Sequence, residues 1–412
     1  MKVLVIGEIN SANLGDKAIY LTLKYLFESQ GHKVSGLDLG RRNEFCETQM
    51  DLSGISIGAL CSYEQSLCQN TKTERDSGIK FCRASIVSRM PALGRKCVNL
   101  YSKKRHYLKR NAAWEEKIKE NDVVIFGGGA LLMDNCWGFP LSLLYTSKLV
   151  KKLGKPYGCV GCSVGETFSY NGARWLKQFL GGSSFVTVRD PISGHLLEKL
   201  GVPEYRVYAD TALSISNIIM AEKRSFKGVI GINVLSYVHQ VKKSSYRKYL
   251  RVLEESILKV VELPQLGLKQ VILFNSGERK DVNVARLLHY QVQQKAGNPY
   301  IKVCRQIQNL AEICYLVSNC DVVVGSRLHS SIISKSYGTP IIGIAWDKKV
   351  TGFYEMLKLK SFCFDYKTVN SEMLIQAIEV IKNSNFHQDS AIRELLAELE
   401  ELPEYVVRKM KK

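Results

Sequence analysis

The sequence is short of acidic residues, of long apolar runs and of any regular cysteine framework, and each shortage excludes something. Only 39 Asp and Glu stand against 58 Lys and Arg, a formal net charge of +19 at pH 7. That surplus points to an acidic substrate, a nucleic acid or an anionic membrane surface, and says nothing about fold. No apolar run approaches the ~20 residues that a membrane-spanning helix needs. The richest, Val123 to Met133, is broken by Gly127, Gly128 and Gly129. The first residues do not read as a signal peptide. Lys2 alone precedes the run Val3–Ile6, and Glu8, Asn10, Asn13 and Asp16 follow at once. Twelve scattered cysteines fit reduced thiols in a large intracellular chain. A cytoplasmic protein is expected.

The chain has 412 residues, too many for one core, so two domains are the starting expectation. With 45% apolar and 24% charged residues, disorder is excluded as the main state. Short β-branched runs alternate with amphipathic stretches. Lys2–Gly7 reads as a buried strand; Leu14–Gln30 reads as a helix with Ile19, Leu23, Leu26 and Phe27 on one face. Further strands are expected at His32–Leu37, Asp122–Phe126, Pro156–Val164 and Ser184–Arg189. The rhythm restarts with Gly228–Leu235, Gln270–Asn275, Ile301–Cys304, Asp321–Gly325 and Pro340–Trp346. Helical patterns separate them, among them Ser330–Tyr337 and Val350–Leu357.

This is the pattern of an α/β protein with two Rossmann-like, doubly wound parallel-sheet domains facing a cleft. The polar stretch Ala221–Lys227 divides a first domain, residues 1–220, from a second, residues 221–365; a helical tail covers 366–412. One segment breaks the rhythm. Residues 71–111 hold twelve bases and two acids, Glu74 and Asp76, interleaved with apolar residues. A basic amphipathic insertion of this kind either lies on an anionic membrane face or packs on its own domain. No nucleic-acid recognition motif accompanies it, and no nucleic-acid partner is expected.

The sharpest chemical candidate is the strand-turn-helix Asp321–Tyr337. The strand ends at Gly325 and a turn carries Ser326, Arg327, Leu328 and His329. Ligands of parallel α/β sheets bind at the carboxyl ends of strands, and a helix N-terminus favours anions. Arg327 offers a planar fork for phosphate or carboxylate; His329 carries a proton near neutral pH. The plain alternative is a helix-capping turn. Lys349, after the strand Pro340–Trp346, would stand at the same sheet edge, whereas Lys348 reads as a solvated corner.

In the first half, Asn13-Leu14-Gly15-Asp16 opens the first helix, with Asn13 a good N-cap. Gly127-Gly128-Gly129 follows a strand, with Asp134 a turn later. It is neither G-x-G-x-x-G nor a Walker A loop, but it permits close approach of backbone to a ligand. Arg189 at a strand end points at the cleft or pairs with an Asp; Asp210 is a cleft residue or a turn former. Cys159-x-x-Cys162 lies on a predicted strand with no second ligand pair in the sequence, so it reads as structural and no metal is expected.

These pieces together resemble the polysaccharide pyruvyl transferases. The matching pieces are N-x-G-D at Asn13–Asp16, GGG with a following Asp at Gly127–Asp134, V-R-D at Val188–Asp190, Asp210 in ADTALS and Asn233 in GIN. S-R-L-H at Ser326–His329, G-T-P-I-I-G-I at Gly338–Ile344 and D-K-K-V-T-G-F at Asp347–Phe353 complete the order. The resemblance implies a fold like that of GT-B glycosyltransferases. It also implies transfer of pyruvate from phosphoenolpyruvate to two sugar hydroxyls, with no metal or redox cofactor. On that basis Arg327, Arg189 and Lys349, with Ser326 and Leu328, would bind the donor. His329 would be the general acid or a charged donor to the leaving phosphate. Asp134 would activate an acceptor hydroxyl, and Asn13, Gly15, Asp16, Gly128 and Asp210 would shape the acceptor side or the cleft.

The expected acceptor is a sugar on a lipid-diphosphate carrier, met at the inner membrane face through residues 71–111. The alternatives are a GT-B glycosyltransferase using a nucleotide sugar and a non-catalytic glycan or lipid-carrier binder. Against the first, no carboxylate stands on Ser330–Tyr337 to hold ribose hydroxyls. A nicotinamide oxidoreductase fits least, because the glycine fingerprint is incomplete.

Overall fold

The computed structural model describes residues 1–40, 55–61, 111–134, 138–221, 228–236, 242–263, 266–296, 300–383 and 390–410. The basic segment 71–111 therefore lies outside the described residues except at its last position, and so does 222–227 of the expected boundary. Among the described residues no helix is long and apolar enough to cross a membrane.

Among the described residues, two six-stranded sheets form the frame. The first contains β1 (Lys2–Gly7), β2 (Lys33–Asp38), β3 (Val123–Leu132), β4 (Tyr157–Val164), β5 (Phe185–Val188) and β6 (Arg206–Val207). Around it lie α1 (Leu14–Glu28), α2 (Ile57–Cys61), α3 (Asn111–Lys119), α4 (Phe139–Lys152), α5 (Tyr170–Leu180) and α6 (Pro191–Lys199). The second contains β7 (Val229–Asn233), β8 (Gln270–Phe274), β9 (Ile301–Val303), β10 (Val322–Gly325), β11 (Ile341–Ala345) and β12 (Cys363–Asp365). Its helices are α7 (Lys243–Val261), α8 (Arg279–Ala296), α9 (Leu310–Ser318), α10 (Leu328–Ser336), α11 (Lys348–Met356) and α12 (Ser371–Asn383), followed by α13 (Ser390–Glu400) and α14 (Leu402–Met410).

The strand orders are β2-β1-β3-β4-β5-β6 and β12-β11-β10-β7-β8-β9, and every pairing is parallel. Parallel sheets must be covered on both faces, which is why β1, β4 and β7 are apolar nearly throughout. Each sheet reverses its winding once, between β1 and β3 and between β7 and β10, and a crevice for ligand opens at such a reversal. Both switch points carry the motifs singled out in the sequence. The loop after β1 ends at Asn13 and Leu14–Asp16 open α1, while β10 delivers Ser326–His329 beside the end of β7, with Gly325 in register with Asn233.

The inward face of α1 (Leu23, Leu26, Phe27) shares one core with the second sheet; a separate cluster built on Phe126, Tyr157 and Phe179 fills the other face of the first sheet. Each large side chain so buried contributes about 1.5–3 kcal/mol. The tail returns to the first half. Gln30 donates to the Glu400 carbonyl at 2.6 Å, and the Tyr208 and Tyr405 rings lie 5.9 Å apart.

The glycine run corrects one expectation. The strand does not stop before Gly127 but runs through it to Leu132, with a shift in register between Gly129 and Leu132. Gly128 and Gly129 take φ of +73° and +72°, a conformation that side chains disfavour, and so bend the strand without ending it.

Candidate functional site

Helix α10 starts two residues earlier than its pattern suggests. Arg327 is its N-cap in an extended conformation and makes no side-chain cap hydrogen bond, so the sequence carried no capping signal there. The cap comes from the neighbouring strand: Asn233 Oδ1 accepts from the Arg327 backbone N–H at 3.0 Å, while Asn233 Nδ2 donates to Ser276 Oγ at 3.3 Å. His329 thus sits in the first turn of α10, at the N-terminus of the helix dipole.

The imidazole of His329, 8% exposed, reaches the other domain. Its Nε2 lies 3.3 Å from Arg189 Nη1 and 3.6 Å from Asp210 Oδ2. Arg189 Nη1 donates to Asp210 Oδ2 at 2.6 Å, and its Nε donates to Ser163 Oγ. On the far side of the ring stands Gly15: a Cβ placed there would fall 2.0 Å from His329 Nδ1. Four residues that the sequence put in separate motifs, Gly15, Arg189, Asp210 and His329, therefore meet at one point between the domains.

Their charges are mutually fixed. Burial alone would raise the Asp210 carboxyl, but Arg189 and then His329 outweigh it and hold the group well below the usual carboxylate range. For Arg189 burial works against the charge and Asp210 overrides it, so the guanidinium holds its proton more firmly than usual. Asp190 goes the other way: burial pushes its carboxyl up, against hydrogen bonds from Ser193 and the charge of Arg189. Asp190 caps α6 through Ser193 N–H at 2.7 Å.

Arg327 occupies the second-domain side of the same crevice. Its Nε is paired with Asp281 Oδ2 at 2.5 Å, and Asp281 also accepts from Ser236 N–H at 2.9 Å. Arg327 keeps 24% of its side chain exposed while Asp281 is fully buried, so the guanidinium stands at the surface of a fixed acid. Ser326 Oγ shares a hydrogen bond with Tyr249 Oη at 2.8 Å, and the Ser326 carbonyl accepts from Trp346 Nε1 at 3.1 Å. Lys349 Nζ lies 4.8 Å from the Trp346 ring centre and 3.3 Å from Asp347 Oδ2. Leu328, the first residue of α10, is buried.

The remaining candidates serve the frame. Asn13 caps α1 through Gly15 N–H at 3.1 Å; Asp16 accepts from Ser11 Oγ at 2.7 Å and Asn13 Nδ2 at 3.1 Å. Gly128 does not open room for a ligand: a Cβ there would fall 1.9 Å from Ile19 of α1. Asp134 does not reach this cluster; its carboxylate accepts from Ser169 N–H at 2.6 Å at the start of α5. Arg189, expected to grip the donor directly, spends its Nε and Nη1 on Ser163, Asp210 and His329. Lys348 reaches Glu166 of the first domain at 3.2 Å, an exposed pair rather than a purely solvated corner. Cys159 and Cys162 are buried on β4, and burial pushes the Cys159 thiol up.

Sequence reasoning missed Asp281, Tyr249, Trp346 and Ser163. Asp281, in the first turn of α8, reads as an ordinary helix-start acid; nothing local says that its oxygens are buried. Trp346 had a signal, an aromatic at a strand end just before the Asp347 N-cap.

Two doubly wound domains with a basic, histidine-bearing turn between them define an α/β protein with a GT-B-like fold. Residues 13–348 match the model of the family described as polysaccharide pyruvyl transferase, and the chain belongs to that family. It is 25% identical over 406 residues to the amylovoran biosynthesis protein AmsJ of Erwinia amylovora, spanning 92% of this chain and 91% of that one. Among solved structures it is similar to S. aureus MnaA in its UDP co-structure, with TM-score 0.54 and 10% identity over 100% of this chain and 96% of that one. It is also similar to the UDP-GlcNAc 2-epimerase of Methanocaldococcus jannaschii, with TM-score 0.51 and 13% identity over 97% and 99%. At such identity the structural likenesses speak for the fold alone.

Proposed function

We propose that this transferase moves pyruvate from phosphoenolpyruvate onto two hydroxyls of one sugar in a surface-polysaccharide precursor, forming a cyclic ketal and releasing phosphate. The observation that carries this reading is that His329, two residues after the Asp281-paired Arg327 at the head of α10, meets the Arg189–Asp210 pair of the other domain. A donor with a phosphate and a carboxylate calls for fixed cations: Arg327, held by Asp281, and Lys349. Proton delivery to carbon 3 of the enol ester, by His329, makes carbon 2 electrophilic. One sugar hydroxyl adds there, the C–O bond to phosphate breaks, and the second hydroxyl closes the ring. Of the two hydroxyl protons given up, one balances the new methyl group and the other leaves with phosphate. No redox step or metal is needed.

On the acceptor side we place a sugar on a lipid-diphosphate carrier, because ten of the nineteen surplus positive charges fall within residues 71–111. Liposomes containing anionic lipid should then bind the protein more strongly at low salt. The decisive assay is incubation with phosphoenolpyruvate and a panel of free, nucleotide-linked and lipid-linked glycans, read by mass spectrometry. Pyruvate addition with phosphate release supports the reading. Sugar transfer from UDP- or GDP-sugars, with phosphoenolpyruvate inert, overturns it in favour of a glycosyltransferase.

A further inference from the structure

His329 belongs by its backbone to the second domain, but its ring contacts recorded above come from the first. Nδ1 lies against Gly15 in the first turn of α1, and Nε2 faces the Arg189–Asp210 pair at the ends of β5 and of the segment after β6. Arg189 Nη1 carries two hydrogens, one directed to Asp210 at 2.6 Å and the other able to reach His329 Nε2 at 3.3 Å. The 3.6 Å gap from Nε2 to Asp210 is too long for a hydrogen bond. Asp210 therefore acts on the ring by its charge and by holding Arg189 in place. Ser163, on β4, fixes the other edge of the same guanidinium through Nε.

We propose that Gly15, Arg189 and Asp210 form a socket in the first domain that receives and orients the His329 ring, so that the proton-delivering group is assembled only where the two domains meet. The proposal rests on the reading of His329 as the acid of pyruvyl transfer. It makes Arg189 and Asp210 positioning residues rather than ligands of the donor. It also gives the glycine of Asn13–Asp16 a reason that helix capping does not: a larger residue there would occupy the place of the ring. With Nε2 accepting from Arg189, a neutral ring carries its hydrogen on Nδ1, the atom packed on Gly15.

The test is Gly15→Ala in the full chain, which leaves the Arg189–Asp210 pair intact while driving the ring out. We expect kcat to fall by about 10²-fold or more, the span assigned to acid–base help, with donor KM within about threefold of the native value. Arg189→Lys serves as second variant. It keeps a charge for Asp210 but cannot serve Asp210, Ser163 and His329 together, and we expect the same split. The ring is read independently of turnover from ¹⁵N-labelled histidine by NMR, with His329 assigned by its absence in His329→Gln. Its Nδ1 and Nε2 resonances should move in both variants. If they move while the native protein transfers no pyruvate, the reading of the reaction fails and the socket stands. If they stay in place in either variant, or if Gly15→Ala turns over as the native enzyme does, the socket is overturned.

Discussion

The side-chain oxygen of Asn233 accepts the backbone N–H of Arg327 at 3.0 Å, so the end of β7 fastens the turn that follows β10. The link crosses the point where the second sheet reverses its winding, and Asn233 is fully buried there. Replacing it by Ala takes this partner from the Arg327 N–H and the Ser276 hydroxyl, while the Phe274 carbonyl keeps the Val234 N–H. Such losses cost about 1–3 kcal/mol. Asn233→Ala should therefore lower the melting temperature and raise the donor KM together. A fall in stability with donor KM unchanged would show that the turn holds its shape without this fastening.

Arg327 should act on donor affinity. Hydrogen bonds to charged groups are worth about 1.5–3 kcal/mol, so Arg327→Ala should weaken phosphoenolpyruvate binding roughly 10- to 150-fold in calorimetry. Asp281→Asn should weaken it less, since the guanidinium remains but loses its paired acid. Equal donor affinity in native protein and Arg327→Ala would remove this residue from the donor site.

His329 separates catalysis from folding. Its ring meets polar groups of the first domain rather than apolar side chains, so His329→Ala should stay folded and keep donor affinity while losing turnover by about 10²–10⁴-fold. Native rates of pyruvate transfer in that variant would refute its part in the reaction.

Acid should loosen the Arg189–Asp210 pair. The Asp210 carboxyl is held below its unfolded value of ~3.9, so its contribution to stability is complete above that pH and is lost as pH falls below it. Asp210→Asn lacks that contribution at every pH. The melting-temperature gap between native protein and Asp210→Asn should thus be widest above pH ~4 and narrow on further acidification. A gap that holds constant down to pH 3 would mean that the charge of Asp210 is not what ties it to Arg189.

How much of this could be read from the sequence follows the range of the interactions. The two-sheet architecture was legible because apolar strands and amphipathic helices declare themselves within a few residues. The Ser326–His329 turn was legible because a strand leads straight into a helix there. What joins these pieces was not. Asp281 looks like any acid at a helix start, and only the fold reveals that it is buried against Arg327. Arg189 pairs with an Asp, the plainer of its two readings, but its partners Asp210 and Ser163 come from two other strand ends. The α10 start was misplaced because its cap lies on β7, outside any local pattern.

Gly128 supplies the last contrast between ligand approach and packing. Its φ is +73°, and an added Cβ would fall 1.9 Å from Ile19 Cγ2, on a helix packed between the sheets. Both effects penalise Gly128→Ala. The left-handed backbone costs a non-glycine residue about 1 kcal/mol or more, and crowding in a packed core adds about 1–3 kcal/mol. Gly128→Ala should lower stability by roughly 2–4 kcal/mol in urea unfolding, with residual folded protein retaining native donor KM. Relief should come from Ile19→Ala in the same chain, because that change removes the atoms in the way. If the double variant is no more stable than the sum of the two single changes allows, packing against α1 is not the constraint, and the glycine is needed for its backbone conformation alone.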